Sequence, residues 1–570
     1  MVTVSSQHNP LSARARLPDS STPAARTPTT QPPASEFSQS RRPAKMADPL
    51  GERATAQLIR RVLLSEQHSD QLTAAALEGQ LPPLTSSNEM DFQIYGLLAI
   101  LIRDFVQAWY SKITPDETFV AELINIVAHI SRATEQRLRK VDLESLLMDE
   151  IPDLLEQHII AYRTSKKPGT RPPIEANSRQ IYHALFPSPA MTPVPDAHAP
   201  ESILEQAKNE AIYRKLLVQG MLAMLLPTED FQSPCLTSLV GEILSETIIG
   251  NLVAKKVSQP WMMWEIIGIV CSIITGKKPP PKEQKRRREN ANSTLESKSF
   301  PHPSVSPVPR KWSLQWLMIM FVQWGVMIYS IIRGTVHGFI AARKLPSRVR
   351  HNTSYVKPSQ SSGGLGKVPV VTWKLFSFAG TLIEINDRMP WLSGNISLLQ
   401  WCLLTGPGRI GGFDSVLDRY VSGVVRKQIL DGNRVPGLIK SIRGSVFPNN
   451  VAGKSSLFPP ANQAEEKELR KRTAAALASM MPKWMLKTYF CSGAWETFLG
   501  VEGSSEISGQ DNDPDQRLIR EIDETILDVF SDEYCNKHLM YAIVELALVR
   551  LIPELAEKTV EDLLDDRLGL

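Results

Sequence analysis

The sequence predicts an all-α protein, and three observations carry that expectation. Apolar residues recur at three- and four-residue steps, strict period-two alternation is scarce, and helix formers dominate outside the loops. At 570 residues the chain exceeds one hydrophobic core, so two packed helical domains are expected. The formal net charge of +4 is small for this length and makes no case for nucleic acid. The five cysteines (Cys235, Cys271, Cys402, Cys491, Cys535) lack CxxC spacing and sit mostly among apolar residues. They read as buried thiols of a reducing compartment.

Residues 1–45 hold 7 Pro, 8 Ser and 5 Thr with few large apolar residues, so 1–50 reads as a disordered tail. It has no apolar run of the secretory kind, and its prolines oppose the amphipathic helix of a mitochondrial presequence. Met46 precedes the first structured-looking text. A short basic helix is expected over 58–64. The strongest helix comes next, over 91–110, where Ile94, Leu98, Leu101, Phe105 and Ala108 form one stripe and residues 97–102 are all apolar. Arg103 and Asp104 close that apolar run, which predicts half-buried side chains paired with neighbouring helices; Asp142, Glu144 and Arg163 are the expected partners. Thr114, Pro115 and Glu117 have capping-box spacing for the next helix, whose face is Phe119, Leu123, Ile126, Val127 and Ile130.

Residues 141–163 suggest two helices split at Pro152, with His158 a partly buried helix residue because no second ligand stands at metal spacing. Residues 164–200 read as a polar, Pro-rich loop. Helices are expected at 212–226, closed by Pro227, then at 236–257 and 264–275. Residues 277–289 carry a net charge of +5 through Lys277, Lys278, Lys282, Lys285, Arg286, Arg287 and Arg288. A solvated linker and a nuclear-import patch are open readings. Placement directly after a Trp-rich apolar helix favours contact with anionic lipid. A Ser/Pro-rich linker completes 277–311.

Residues 312–332 run for 21 positions without a charge, enough to span a bilayer. Gln315, Gln323 and Ser330 interrupt the run, and basic residues at both ends give no orientation. A helix packed in a very apolar or lipid-lined core ranks above a spanning one. A long apolar helix is therefore expected over 312–343, a flexible linker over 344–368, and a helical unit over 369–570. Gly406–Gly411 formally matches GxGxxG, but Pro407 and the lack of a βαβ pattern exclude a dinucleotide turn. Gly453-Lys454-Ser455 lacks the first glycine of a phosphate loop. Asn292, Asn352 and Asn395 match glycosylation sequons, which mean nothing on a cytosolic face. His538 stands apart from any defensible Ser/Asp or Cys partner. No catalytic residue, metal site or cofactor emerges.

The string Arg103-Asp104-Phe105-Val106, then Trp109-Tyr110-Ser111-Lys112-Ile113-Thr114, resembles the signature of the PX-associated (PXA) domain of certain sorting nexins and fungal relatives. The resemblance extends over 89–276 and makes Arg103, Asp104, Phe105, Trp109 and Tyr110 structural signature residues. His183-Ala184-Leu185 departs slightly from the His-Pro-Ala-Leu often seen there. Downstream, Asp418-Arg419, 447–450 and 534–539 resemble fungal PXA-domain proteins, and the whole half is similar to the sorting-nexin C-terminal domain. The resemblance implies a non-enzymatic, membrane-associated protein of endomembrane lipid handling or trafficking. Its two halves would meet around an apolar cavity lined here by Met221, Met224, Trp261, Trp264, Trp316, Met320 and Trp324. Implied partners are membrane phospholipids and endosomal or ER membrane proteins, on the cytosolic face of the ER, endosome or vacuole. The alternative is a protein-interaction scaffold of endosomal sorting without a lipid cavity; an unrecognised enzyme comes third.

Overall fold

The computed structural model describes residues 51–64, 79–114, 118–167, 177–275 apart from 197, scattered positions of 318–348, 367–447 apart from 407 and 408, 450, 459–482, 486, 489–490 and 514–568. Among these the protein is all-α, and the only strand-like pairing is an isolated bridge between Asp196 and Ala199. Helix α1 is Glu52–Leu63. Helix α2, Asn88–Leu101, continues through a wide π-type turn at Ile102–Gln107 into Ala108–Tyr110. Then come α3 (Thr118–Leu138), α4 (Ile151–Lys166), α5 (Ser178–Leu185) and α6 (Pro200–Leu225). Helix α7 (Pro234–Glu242) runs on as wide turns over Ile243–Val257, and α8 is Pro260–Thr275. The second half supplies α9 (Lys374–Leu382), α10 (Pro390–Thr405), α11 (Val416–Gln428), α12 (Val435–Val446), α13 (Gln463–Ala478), α14 (Pro514–Ile522), α15 (Glu533–Leu551) and α16 (Val560–Leu568).

The largest core is shared by both halves. Ile159, Tyr182, Met191, Leu222 and Trp264 from the first pack with Ala474, Leu527, Phe530, Leu539 and Tyr541 from the second. Trp264 is the hinge pin: its Nε1 donates to the Leu527 carbonyl at 3.0 Å, and the Arg470 guanidinium lies 4.9 Å over its ring. Arg163 closes another joint. It donates to the carbonyls of Thr381 (2.5 Å) and Leu382 (2.8 Å), the last turn of α9, and to Thr525 at 3.0 Å. Helix-end carbonyls need such donors, and a cation there also meets the negative end of the helix dipole. A second core gathers α1, α2 and α3 around Ile59, Leu84, Ala99 and Ile124.

Several local expectations are corrected. Pro152 does not split the helix: a wide turn over Leu146–Glu150 precedes it, where Ile151 N bonds the Leu146 carbonyl five residues back, and the altered register lets the chain continue helically. The expected loop 164–200 contains α5, capped by Asn177 Oδ1 accepting from Arg179 N, with Tyr182 fully buried beneath it. Cys271 and Cys535 are buried, but Cys235 and Cys402 are exposed, because they sit on helices whose outer faces are themselves apolar.

The histidines are more interior than expected. His158 is fully buried, stacked on Phe530 and 2.8 Å from the Tyr182 hydroxyl. His538 is engaged through both ring nitrogens. Its Nδ1 lies 3.0 Å from the Tyr534 carbonyl and therefore donates, leaving Nε2 to accept from His183 Nδ1 at 2.9 Å. Burial holds His158 down to about 4 and His538 down to about 3, and lowers His183 as well. Tyr182, Tyr534, Asp532 and Cys535 are the other titratable groups around them. Below pH 6.5, the ordinary value, the unfolded chain binds protons that these rings refuse. Stability is therefore full above about pH 6.5 and falls as the pH drops toward 4. The melting midpoint should decline most steeply between about pH 6.5 and 4, and His158→Gln should flatten that decline. Parallel curves for parent and variant would remove His158 as a cause.

Candidate membrane-facing surface and its buried anchor

From Met389 to Gly408, between Arg388 and Arg409, 20 residues carry no charge. Pro390 opens α10 at its first turn, where a missing N–H costs nothing. No residue of this helix is buried. Trp391, Ile396, Leu398, Leu399 and Trp401 face outward, with Leu399 at 60% and Trp401 at 62% exposure. Four of its polar side chains bond groups of the protein itself. Gln400 Nε2 donates to the Val371 carbonyl (3.0 Å), Asn395 Nδ2 to Trp391 (3.0 Å), Thr405 Oγ1 to Trp401 (2.7 Å), and Ser393 Oγ to Asn386 Oδ1 (2.5 Å). Internal satisfaction of polar groups is what an apolar solvent demands of a helix.

A second such surface lies on 318–340. Among its described positions Met318, Phe321, Val322, Val326, Tyr329, Val336 and Ile340 are exposed, with Phe321 at 82%. Ser330 Oγ bonds back to the Val326 carbonyl at 2.7 Å. Helix α8 ends in the same manner, with Val270, Ile273 and Ile274 exposed and Ser272 and Thr275 bonded to carbonyls one turn back. Helix α7 and the wide turns after it are also long and apolar enough to cross a membrane by composition, with 17% of the most apolar stretch buried.

The residues just beyond its C-terminal end hold the 318–340 segment to the body. Arg348, expected in a flexible linker, is 5% exposed and is the centre of a buried ionic cluster. Its Nη1 lies 2.7 Å from Asp418 Oδ1, its Nη2 lies 3.0 Å from Glu144 Oε1, and the guanidinium packs over Trp373 and Phe413. Asp418 also accepts from Val370 N (2.7 Å) and Asp414 N (2.9 Å). Arg426 Nε donates to the second oxygen of Glu144 at 2.9 Å. Ser347 and the Arg348 backbone bind Asp414, and Leu345 rests on Gly423, where a Cβ would approach it to 3.0 Å. The base of α10 is fixed nearby, since Gly411 N donates to Leu403 O at 2.9 Å and Gln400 holds Val371. Both outward apolar segments thus start from one polar anchor.

The expected site residues are distributed unevenly. Trp264 is buried in the shared core, Trp261 packs against it partly buried, and Met221 and Met224 are half-buried. Trp316, Met320, Trp324 and the basic residues Lys277, Lys278, Lys285, Arg286, Arg287 and Arg288 lie outside the described residues, as do the side chains of Phe105 and Trp109. Tyr110 stacks on Phe119 at 4.7 Å. Arg103 is half-buried, but its carboxylate partner is its neighbour Asp104, at 2.7 Å, and it also donates to the Asn450 carbonyl at 2.7 Å. The wide turn at 102–107 is what departs from regular α-geometry, in which adjacent side chains do not face one another. The expected partners are engaged elsewhere: Asp142 with Lys367, Glu144 with Arg348 and Arg426, and Arg163 with Glu384. The sequence reads as helical over 390–392 and 398–404, but the outward apolar surface of α10 was not singled out although the 20-residue uncharged run was visible, nor was the ionic role of Arg348 and Asp418, whose partners are remote in the chain.

The profile of the PXA domain matches residues 87–270, the stretch from α2 to α8. This chain carries a PXA domain. The chain is 29% identical over 174 residues to "PXA domain protein 1" of Schizosaccharomyces pombe, covering 30% of this chain and 32% of that protein. An uncharacterized protein of Saccharomyces cerevisiae is 18% identical over 465 residues, or 81% of this chain and 79% of its own length. Human sorting nexin-13 is 22% identical over 196 residues, 33% of this chain and 20% of the nexin. The match thus spans about a third of the fission-yeast protein and a fifth of the nexin. No solved structure matches. The apolar α10 and the Arg348–Asp418 anchor both lie beyond the PXA domain.

Proposed function

We propose that this chain is a non-enzymatic, membrane-associated helical protein of endomembrane lipid handling or trafficking, working on the cytosolic face of the ER or endosomes. The observation that carries this reading is the outward apolar surface of α10 and 318–340, with its polar groups satisfied internally. Monomeric soluble proteins rarely expose contiguous apolar patches of that kind, and a bilayer or lipid chain is the partner that satisfies them. The exposed end of α8 leads directly into Lys277, Lys278, Lys285, Arg286, Arg287 and Arg288, which would add attraction to anionic headgroups. Its PXA domain and its sorting-nexin relatives support a place in membrane trafficking. In the fuller form of this reading, acyl chains are held between the two halves against the apolar helices at 212–226, 261–275 and 312–332.

Mass spectrometry of lipids retained by the full chain, purified without detergent, tests it. Phospholipid in near-stoichiometric amount is expected. A lipid-free, monodisperse protein would replace this reading with a protein-interaction scaffold whose apolar faces are covered by partner proteins.

A further inference from the structure

Among the buried arginines of the described residues, Arg443 on α12 is the exception. Arg214 has carboxylates of Glu210 and Glu246 at 3.2 and 2.9 Å, and Arg348 has Asp418 and Glu144. Arg443 is 0% exposed and pairs with no carboxylate among the described residues. Its Nη2 donates to Thr55 Oγ1 at 2.8 Å, while Nε and Nη1, three of its five N–H donors, meet no acceptor there. Burial lowers its pKa, yet an arginine stays protonated in any protein interior. A buried cation without a counter-charge is strongly unfavourable and is retained where something else repays it.

The stretch of chain that carries Arg443 is basic. From Gly432 to Ala464 the chain has Arg434, Lys440, Arg443 and Lys454 and no Asp or Glu. Arg103 grips the Asn450 carbonyl at the other end of the short corner after α12. Gly96 on α2 makes the approach feasible: a Cβ there would sit inside the contact radius of Arg443 Nη1 and would also crowd Thr55. The guanidinium therefore lies against bare helix backbone with Nε and Nη1 unfilled. The outer side of α12 exposes Leu438 and Ile442.

We propose that Arg443, between Thr55 of α1 and Gly96 of α2, is the cation of a phosphate-binding site that takes the phosphate group of an anionic phospholipid or of a soluble phosphate ester. Arginine suits this ligand because its planar fork donates to several phosphate oxygens at once. Helix α1 supplies Thr55 and covers the site, so binding requires it to shift and then clamp. The proposal does not depend on the membrane reading, since free phosphate can occupy the site without a bilayer.

The test is thermal melting of the full chain in sodium phosphate against sodium chloride at matched ionic strength. Thermal melting in the presence of phosphatidylcholine vesicles with or without phosphatidic acid forms the second arm. The parent should show a saturable rise in melting midpoint with phosphate, by the mass action of a ligand bound only to the folded state. Arg443→Met should lose that rise, and without phosphate it should melt no lower than the parent, because the charge it removes was unpaired. Arg443→Lys keeps a charge without the fork and should need roughly tenfold more phosphate. A response to inorganic phosphate assigns the site to soluble esters as well. A response confined to phosphatidic acid vesicles, lost in Arg443→Lys, assigns it to the lipid headgroup. If the parent responds in neither arm, or the variants respond as the parent does, the site does not exist; the parent's response alone decides this should Arg443→Met fail to fold.

Discussion

Replacing Asp418 with alanine is expected to cost about 3–5 kcal/mol of stability, the penalty of breaking a buried ion pair by removing one partner. The side chain is fully buried and serves three donors at once: Arg348 Nη1 and the backbone N–H groups of Val370 and Asp414. Alanine would strand those two amides and leave Arg348 with Glu144 alone, which Arg426 already shares. Asp418 also sits in the first turn of α11, where a carboxylate opposes the helix dipole favourably. Asn at this position keeps an acceptor oxygen and the shape but not the charge, so it should lose clearly less than alanine. Chemical denaturation of the full chain measures both. An Asp418→Ala midpoint equal to the parent's would mean that Arg348 is held by packing on Trp373 and Phe413, and the anchor would lose its ionic rationale.

That cluster also shows which parts of this fold are legible in sequence. Helix stripes are local: Ile94, Leu98 and Leu101 recur at the helical period, and α2, α6 and α8 lie where such spacing puts them. Partner choice is not local. Arg348 sits in a polar stretch rich in Ser and Gly, and nothing in its neighbourhood announces that Glu144 and Asp418 will surround it. Tyr182 is hidden for a related reason, since a short helix between proline-rich segments gains its stability from the core that receives it. His183 and His538 are far apart in the chain and meet only because α5 packs on α15. The candidate surface is half legible. The uncharged run at 312–332 shows its length plainly, but length does not tell a core helix from an outward one, and the exposure of Met318, Phe321, Val322, Val326 and Tyr329 is a tertiary property.

Introducing a charge into α10 should separate folding from membrane binding. Leu399 is 60% exposed and has charged neighbours on neither side from Met389 to Gly408. In water, Leu399→Glu removes no buried contact, so the melting midpoint should stay within about 0.5 kcal/mol of parental stability. In a bilayer the same residue would lie mid-helix in an apolar phase, where a charged side chain costs roughly 2.5–3.5 kcal/mol. That corresponds to a loss of about 100-fold in partitioning. Ser397→Ala, on the same helix, adds no charge and serves as the control that should float as the parent does. The measurement is flotation of the full chain with neutral phosphatidylcholine vesicles, so that the basic residues at 277–288 contribute little and the apolar surface is read by itself. Parent and Ser397→Ala recovered with the vesicles, and Leu399→Glu left in the soluble fraction, is the expected pattern. Equal flotation of Leu399→Glu and parent would show that α10 stays out of the bilayer. The apolar face of 318–340 would then be the remaining contact, and the matching charge at Phe321 or Val322 would be the one that abolishes binding.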